Sequence, residues 1–187
     1  SGASAHEWTT LFRSEVRRRR DLPSFAEDVV AYEGAVAELA LSQTARRAAQ
    51  AVAHGNRSLS QVSSNQLRFL APVLGDNVRI EHYAHNAPAI VSAIQACDRL
   101  QPVAARVPTV VLLVLSPDED EPHPFLINDS VEAVLLACDG TTDCAGIARQ
   151  LGVEADGELE RSLHHTLESL RVHNILTYRE PDQGSHA

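Results

Sequence analysis

Near the N-terminus, Trp8, Leu11, Phe12 and Val16 recur at i, i+3, i+4 and i+8, the stripe of an amphipathic helix. Pro23 stops that helix. Ser24, with Glu27 three residues on, reads as a capping box that opens a second helix. Its apolar face is Phe25, Val29, Tyr32, Val36 and Leu39, and it runs to about Ala40. Residues 44–53 predict a third, Ala-rich helix, and "HGNRSLSQVSS" (54–64) predicts a loop.

The period changes at "GDNVRIEHYAH" (75–85), where Val78, Ile80 and His82 alternate with Arg79, Glu81 and Tyr83 as along a strand. Residues 88–100 predict a short helix. "PTVVLLVLSPDEDEP" (108–122) predicts a buried strand and an acidic hairpin loop, and "PFLIND" (124–129) a short strand whose proline marks it as an edge. Three helices follow. The first, capped by Asp129 or Ser130, carries Val131, Val134, Leu135 and Cys138 on one face, with Gly140 beyond its end. The second, capped by Thr142, carries Cys144, Ile147, Ala148 and Leu151 and ends at Gly152. The third, residues 157–173, turns Leu159, Leu163, Leu167 and Leu170 inward, and "NILTY" (174–178) adds a closing strand. The pattern predicts an α+β chain. Residues 1–75 form a helical N-terminal domain, and residues 76–187 pack three strands on a three-helix turn motif, a winged helix-turn-helix.

Charge sharpens this division. All sixteen basic residues are Arg. Residues 1–106 hold 12 Arg and 10 acids, whereas residues 107–187 hold 4 Arg and 15 acids, a net −11. A segment so acidic repels phosphate backbones and favours a basic or neutral partner. The run Arg17–Arg20 reads as a solvated helix end whose cations suit the helix dipole, with docking on an acidic surface as the rival reading. No apolar run reaches the roughly 18 residues that a membrane span needs. Three cysteines do not make a disulfide framework, so a cytoplasmic setting is expected.

Candidate chemistry is sparse. Cys138 and Cys144 fall on the apolar faces of their helices and read as core residues; a zinc pair needs closer spacing and a second pair of ligands. His82 and His85 point to opposite faces of a strand and read as edge or surface histidines, while His164 and His165 diverge by roughly 100° on a helix. "DEDEP" (118–122) lacks the glycine and ligand spacing of a calcium loop and reads as a solvated turn. No nucleophile elbow, phosphate loop or dinucleotide fingerprint is present in the sequence. No catalytic residue, metal ligand or cofactor site is expected in this chain.

The second half has a recognisable layout. "VLLVLSP", "PFLIND" and "SVEAVLLACDGTTDCAGIARQLGV" together resemble the PqqD-type domain, the RiPP recognition element, with "CDGTTDCAGIARQL" (138–151) as its turn and helix. "LPSFAEDVVAYEGAVAELA" (22–40) and "APVLGDNVRIEHYAHNAPAIVSAIQ" (71–95) resemble the small TglI-like partner proteins of DUF692-type iron enzymes. The resemblance implies a non-catalytic subunit that binds a ribosomal precursor peptide as heterodimer with a TglH-like enzyme of 3-thiaglutamate biosynthesis. Iron is then expected in the partner enzyme. It also implies that the leader peptide adds as a strand beside residues 124–128 and touches Phe125, Leu126, Ile127 and Asn128, with His164, Glu168 and Arg171 on the third helix. The competing reading is a winged-helix DNA-binding regulator, which needs basic residues along that helix. Residues 157–173 instead hold Arg161 and Arg171 against Glu158, Glu160 and Glu168.

Overall fold

Four stretches of chain alternate between two compact units. A computed structural model describes residues 4–19, 21–62, 64–100, 104–153 and 157–180. It is α+β, and its two compact units are Ser1–Gln43 with Arg79–Ile127, and Thr44–Val78 with Asn128–Ala187. Each unit thus takes one segment from either side of the linear division at residue 75, and each is described by itself.

The first unit opens with α1 (Ala5–Arg18), capped by Ser4 and Glu7 in a reciprocal capping box. The helix forms where its apolar spacing predicts, yet none of its residues is buried, and Trp8, Leu11 and Phe12 are half or more exposed. The arginines at its end are engaged locally: Arg13 and Arg17 share Glu27, Arg18 lies near Glu15, and Arg19 near Asp21. Arg20 lies outside the described residues.

The second helix, α2 (Ala26–Leu41), buries Tyr32, Ala35 and Leu39. Its start corrects the expected capping box. Phe25 is the cap and makes no side-chain bond, because Glu27 turns to the arginines and Ser24 to a histidine. Gly34 lets α1 and α2 approach: a Cβ there would lie 2.2 Å from the Thr9 side chain.

The sheet of this unit has the order β2-β3-β4, from β2 (Val78–Tyr83), β3 (Thr109–Val114) and β4 (His123–Ile127). Val111 to Leu115 are at most 2% exposed, as the unbroken apolar run requires. The helix expected over residues 88–100 is shorter, α5 (Ala87–Gln95), which starts from an Asn86 cap with Pro in its first turn.

The second unit begins with α3 (Gln43–Ser58), which runs on through part of the stretch expected to be loop and ends in a 3₁₀ turn, Leu59–Gln61. The reason is Asn56. It is 6% exposed, and its amide donates to the carbonyls of Arg171 and Leu176 at 2.9 and 3.0 Å. A short α4 (Ser64–Leu67) leads to β1 (Ala71–Leu74), a strand that Pro72 hides from pattern reading. β1 pairs antiparallel with β5 (Leu176–Arg179), from Ala71↔Arg179 to Leu74↔Leu176. Around this pair stand α6 (Asp129–Ala137), α7 (Cys144–Gln150) and α8 (Glu158–Val172). The α6–α7 turn is tied to β1 by Leu74 N–H to Cys138 O at 3.0 Å and Gly140 N–H to Pro72 O at 2.9 Å. Gly140 adopts φ 75°, which a side chain resists, and a Cβ there would also strike Arg179. The sheet β2-β3-β4 belongs to the first unit, and β1 and β5 belong with α6, α7 and α8 to the second.

Asn56→Ala removes both bridging bonds and leaves the buried Leu176 carbonyl short of a donor, while the Arg171 carbonyl keeps the Asn174 N–H at 2.9 Å. The expected loss is about 2–3 kcal/mol of unfolding free energy in urea denaturation, with secondary structure retained at low urea.

Candidate functional site

The first surface is the margin of the β2-β3-β4 sheet. β3 is sealed, while β4 is exposed along its length except for half-buried Ile127. The register pairs Ile127 with Val110, Leu126 with Val111 and Phe125 with Leu112. Pro124, opposite Leu113, has no N–H to donate, which suits a marginal strand. Phe125 is 38% and Leu126 58% exposed. Among the described residues β4 pairs with β3 on one side only, so its other edge presents main-chain groups to an added strand. The acidic loop before it is ordered by His123, whose Nε2 lies 2.8 Å from Glu119.

The second surface belongs to the other unit. Asn128 caps α6, its side-chain oxygen accepting the Val131 N–H at 2.9 Å, which corrects the expected caps Asp129 and Ser130. Likewise Asp143, not Thr142, caps α7 by accepting the Gly146 N–H at 2.7 Å. In both cases the side chain immediately before the helix accepts the free N–H. Between α6 and α8 lies an open cleft of about 490 Å³, walled by Val131, Val134, Leu159 and Leu163 and dotted with the hydroxyls of Ser162 and Thr166. Asn128 stands on its rim. Leu159, expected to turn inward, is 67% exposed at this cleft.

The opposite flank of α8 gathers His164, His165 and Glu168 with Leu67 and Tyr178 around a smaller cleft of about 230 Å³. Arg171 Nε donates to Glu168 at 2.8 Å and its Nη1 to the Asn56 carbonyl at 3.3 Å. The guanidinium holds the Glu168 carboxyl below the usual range, and the carboxylate raises Arg171 in return. His164 lies 3.7 Å from Glu160. The expected peptide residues therefore fall in three places. Phe125, Leu126 and Ile127 line the β4 edge of one unit; in the other, Asn128 borders the α6–α8 cleft, and His164, Glu168 and Arg171 share the far flank of α8. Residues 159, 162, 163 and 166 form one helical stripe, and that spacing was the signal for the cleft; assigning every leucine to the core obscured it.

Two further groups differ in outcome. His82 is exposed, but His85 is buried at 3%, which corrects its surface assignment. Asp28 explains the burial: one carboxylate oxygen lies 2.7 Å from His85 Nδ1 and accepts the His85 backbone N–H at 2.9 Å. Ser24 Oγ lies 3.3 Å from Nε2, and Phe25 meets the ring edge-on. This hydroxyl–imidazole–carboxylate row ties the start of α2 to the turn after β2. Cys138 and Cys144 are core residues, 3% and 1% exposed, and burial pushes both thiols up to about 12. Cys138 donates to the Val134 carbonyl at 3.1 Å. Among the described residues no three His, Cys, Asp or Glu side chains gather as a metal site.

Comparison with protein-family models yields no match, and comparison with curated proteins yields none.

The thiols make a testable pair. At about pH 8 a chromogenic disulfide reagent should titrate exposed Cys97 alone in the folded chain and all three cysteines after denaturation. Unfolded thiols ionise near 9, whereas the buried pair stays protonated up to about 12. Their contribution is therefore complete below pH 9 and is lost as pH rises toward 12, so the melting temperature should fall across that window.

Proposed function

We propose that this chain is a non-catalytic, precursor-peptide-binding subunit. In this reading it carries a PqqD-like RiPP recognition element and works as the TglI-like partner of a DUF692-type iron enzyme. It would bring a ribosomal carrier peptide to a TglH-like enzyme that removes the β-carbon of a C-terminal cysteine in 3-thiaglutamate biosynthesis, in the cytoplasm. The iron belongs to that enzyme.

The observation that carries the reading is β4: a proline-bearing strand at the sheet margin, paired on one side with a sealed neighbour and exposing Phe125 and Leu126. An added strand gains affinity from main-chain bonds and selectivity from alternate side chains, and β4 offers both. The layout of residues 107–178, from "VLLVLSP" through "CDGTTDCAGIARQL" to "NILTY", supports the same assignment. Charge argues against a nucleic-acid role. Of the two arginines on α8, Arg171 is held by Glu168, and Glu158 and Glu160 stand in the first turn. The chain as a whole carries −9.

Leu126→Pro removes one N–H from β4 and restricts Phe125 before it. If that N–H faces the added strand, affinity for labelled precursor peptide should fall about 5- to 150-fold in fluorescence anisotropy, the equivalent of about 1–3 kcal/mol. If it faces β3, the circular dichroism melt should drop instead. Labelled duplex DNA should bind neither protein. Tight, salt-sensitive duplex binding without a peptide response would refute the reading in favour of a winged-helix regulator.

A further inference from the structure

Leu159 sets the problem. It occupies the second position of α8, is large and apolar, and remains 67% exposed on the wall of the α6–α8 cleft. Among the described residues, none that lines that cleft is charged. The surroundings are different. Asp129 and Glu158, both exposed, are the first residues of α6 and α8, next to Ser130 and Leu159 of the cleft wall. α6 carries a second acid in its first turn, Glu132, whereas Glu160 of α8 turns to His164 on the other flank. An apolar trough thus opens between two acidic helix starts.

We propose that this cleft docks a peptide segment bearing one large apolar side chain flanked by Lys or Arg. The proposal rests on the peptide-binding reading and names the chemistry of the peptide it requires. The cleft, at about 490 Å³, falls in the size range of sites that take a bulky side chain or small ligand. Burying that side chain covers Leu159 and gains apolar contact, and the hydroxyls of Ser162 and Thr166 offer polar contacts to the incoming backbone. Flanking cations meet Asp129 and Glu158. The other occupants fit worse. A two-fold pairing of copies through this cleft sets the same acids against themselves. A phosphate backbone is repelled by them.

The test uses the full chain and two short fluorescein-labelled synthetic peptides with a single central Phe, one flanked by Lys and the other by Glu. At low salt the Lys-flanked peptide should bind about 3- to 10-fold more tightly, and the gap should close at about 1 M salt. The double variant Asp129→Asn, Glu158→Gln should lose most of that preference. Leu159→Ala, a change at an exposed position, should weaken the Lys-flanked peptide about fivefold with an unchanged circular dichroism melt. Equal affinity for the two peptides, preference for Glu flanks, or affinity unmoved in both cleft variants overturns the proposal. Cleft variants that leave the peptide bound while Leu126→Pro releases it would overturn the cleft assignment and leave the β4 reading standing. Absence of binding by either peptide, together with absence of precursor binding, would overturn both. Self-association in sedimentation that Leu159→Ala abolishes would make a second copy the occupant and overturn the proposal as well.

Discussion

The pairing of β1 with β5 is the constraint on which the second unit depends. It joins residues 71–74 to residues 176–179, so about a hundred residues lie in the loop it closes. Four residue pairs do not offset that entropy alone. The buried side chains of Leu176 and Tyr178, the Asn56 amide across α8 and β5, and the two main-chain bonds from β1 to the α6–α7 turn add to the closure. Tyr178 sits deep enough that burial raises its hydroxyl well above the usual range. Once closed, this frame fixes α8, and α8 separates two clefts of different chemistry. One is apolar beneath acidic helix starts; the other is lined by His164, His165 and Glu168.

In the first unit the equivalent constraint is β3. A strand whose residues Val111 to Val114 are at most 2% exposed needs a neighbour on each side for its backbone and cover on both faces. β2 and β4 supply the neighbours. Among the described residues β4 is the last strand of that order, and the proline in it is tolerated for the same reason. The feature that makes β4 a candidate peptide site is therefore a consequence of where the sheet stops.

Much of this was legible in the sequence, and the misses have definite physical causes. Period gave α2, β2 and the three helices after β4, the unbroken apolar run gave β3, and the flanking prolines gave β4. Period said nothing about how fully an apolar face is covered: α1 has the right stripe and lies against α2, yet none of its residues is fully buried, and Leu159 has the right spacing and stays exposed. Polar residues misled where a long-range contact decided their fate. Asn56, within a stretch rich in loop-formers, is buried because its amide bridges the carbonyls of residues 171 and 176. His85 is buried because Asp28, far off in sequence, accepts from it twice. Cap positions moved by one residue at Asn128 and Asp143, since several neighbouring side chains are chemically able to cap and only geometry selects one. Residue period also gave no sign that the units interleave along the chain.

The central claim is that a peptide adds to the open edge of β4, and hydrogen–deuterium exchange reads that edge directly. With saturating precursor peptide, amides of residues 123–127 that face away from β3 should exchange more slowly, in alternation along the strand, while duplex DNA should change nothing. Unaltered exchange across β4 in a chain that binds the peptide, or slowing along α8 on addition of duplex, would contradict the account.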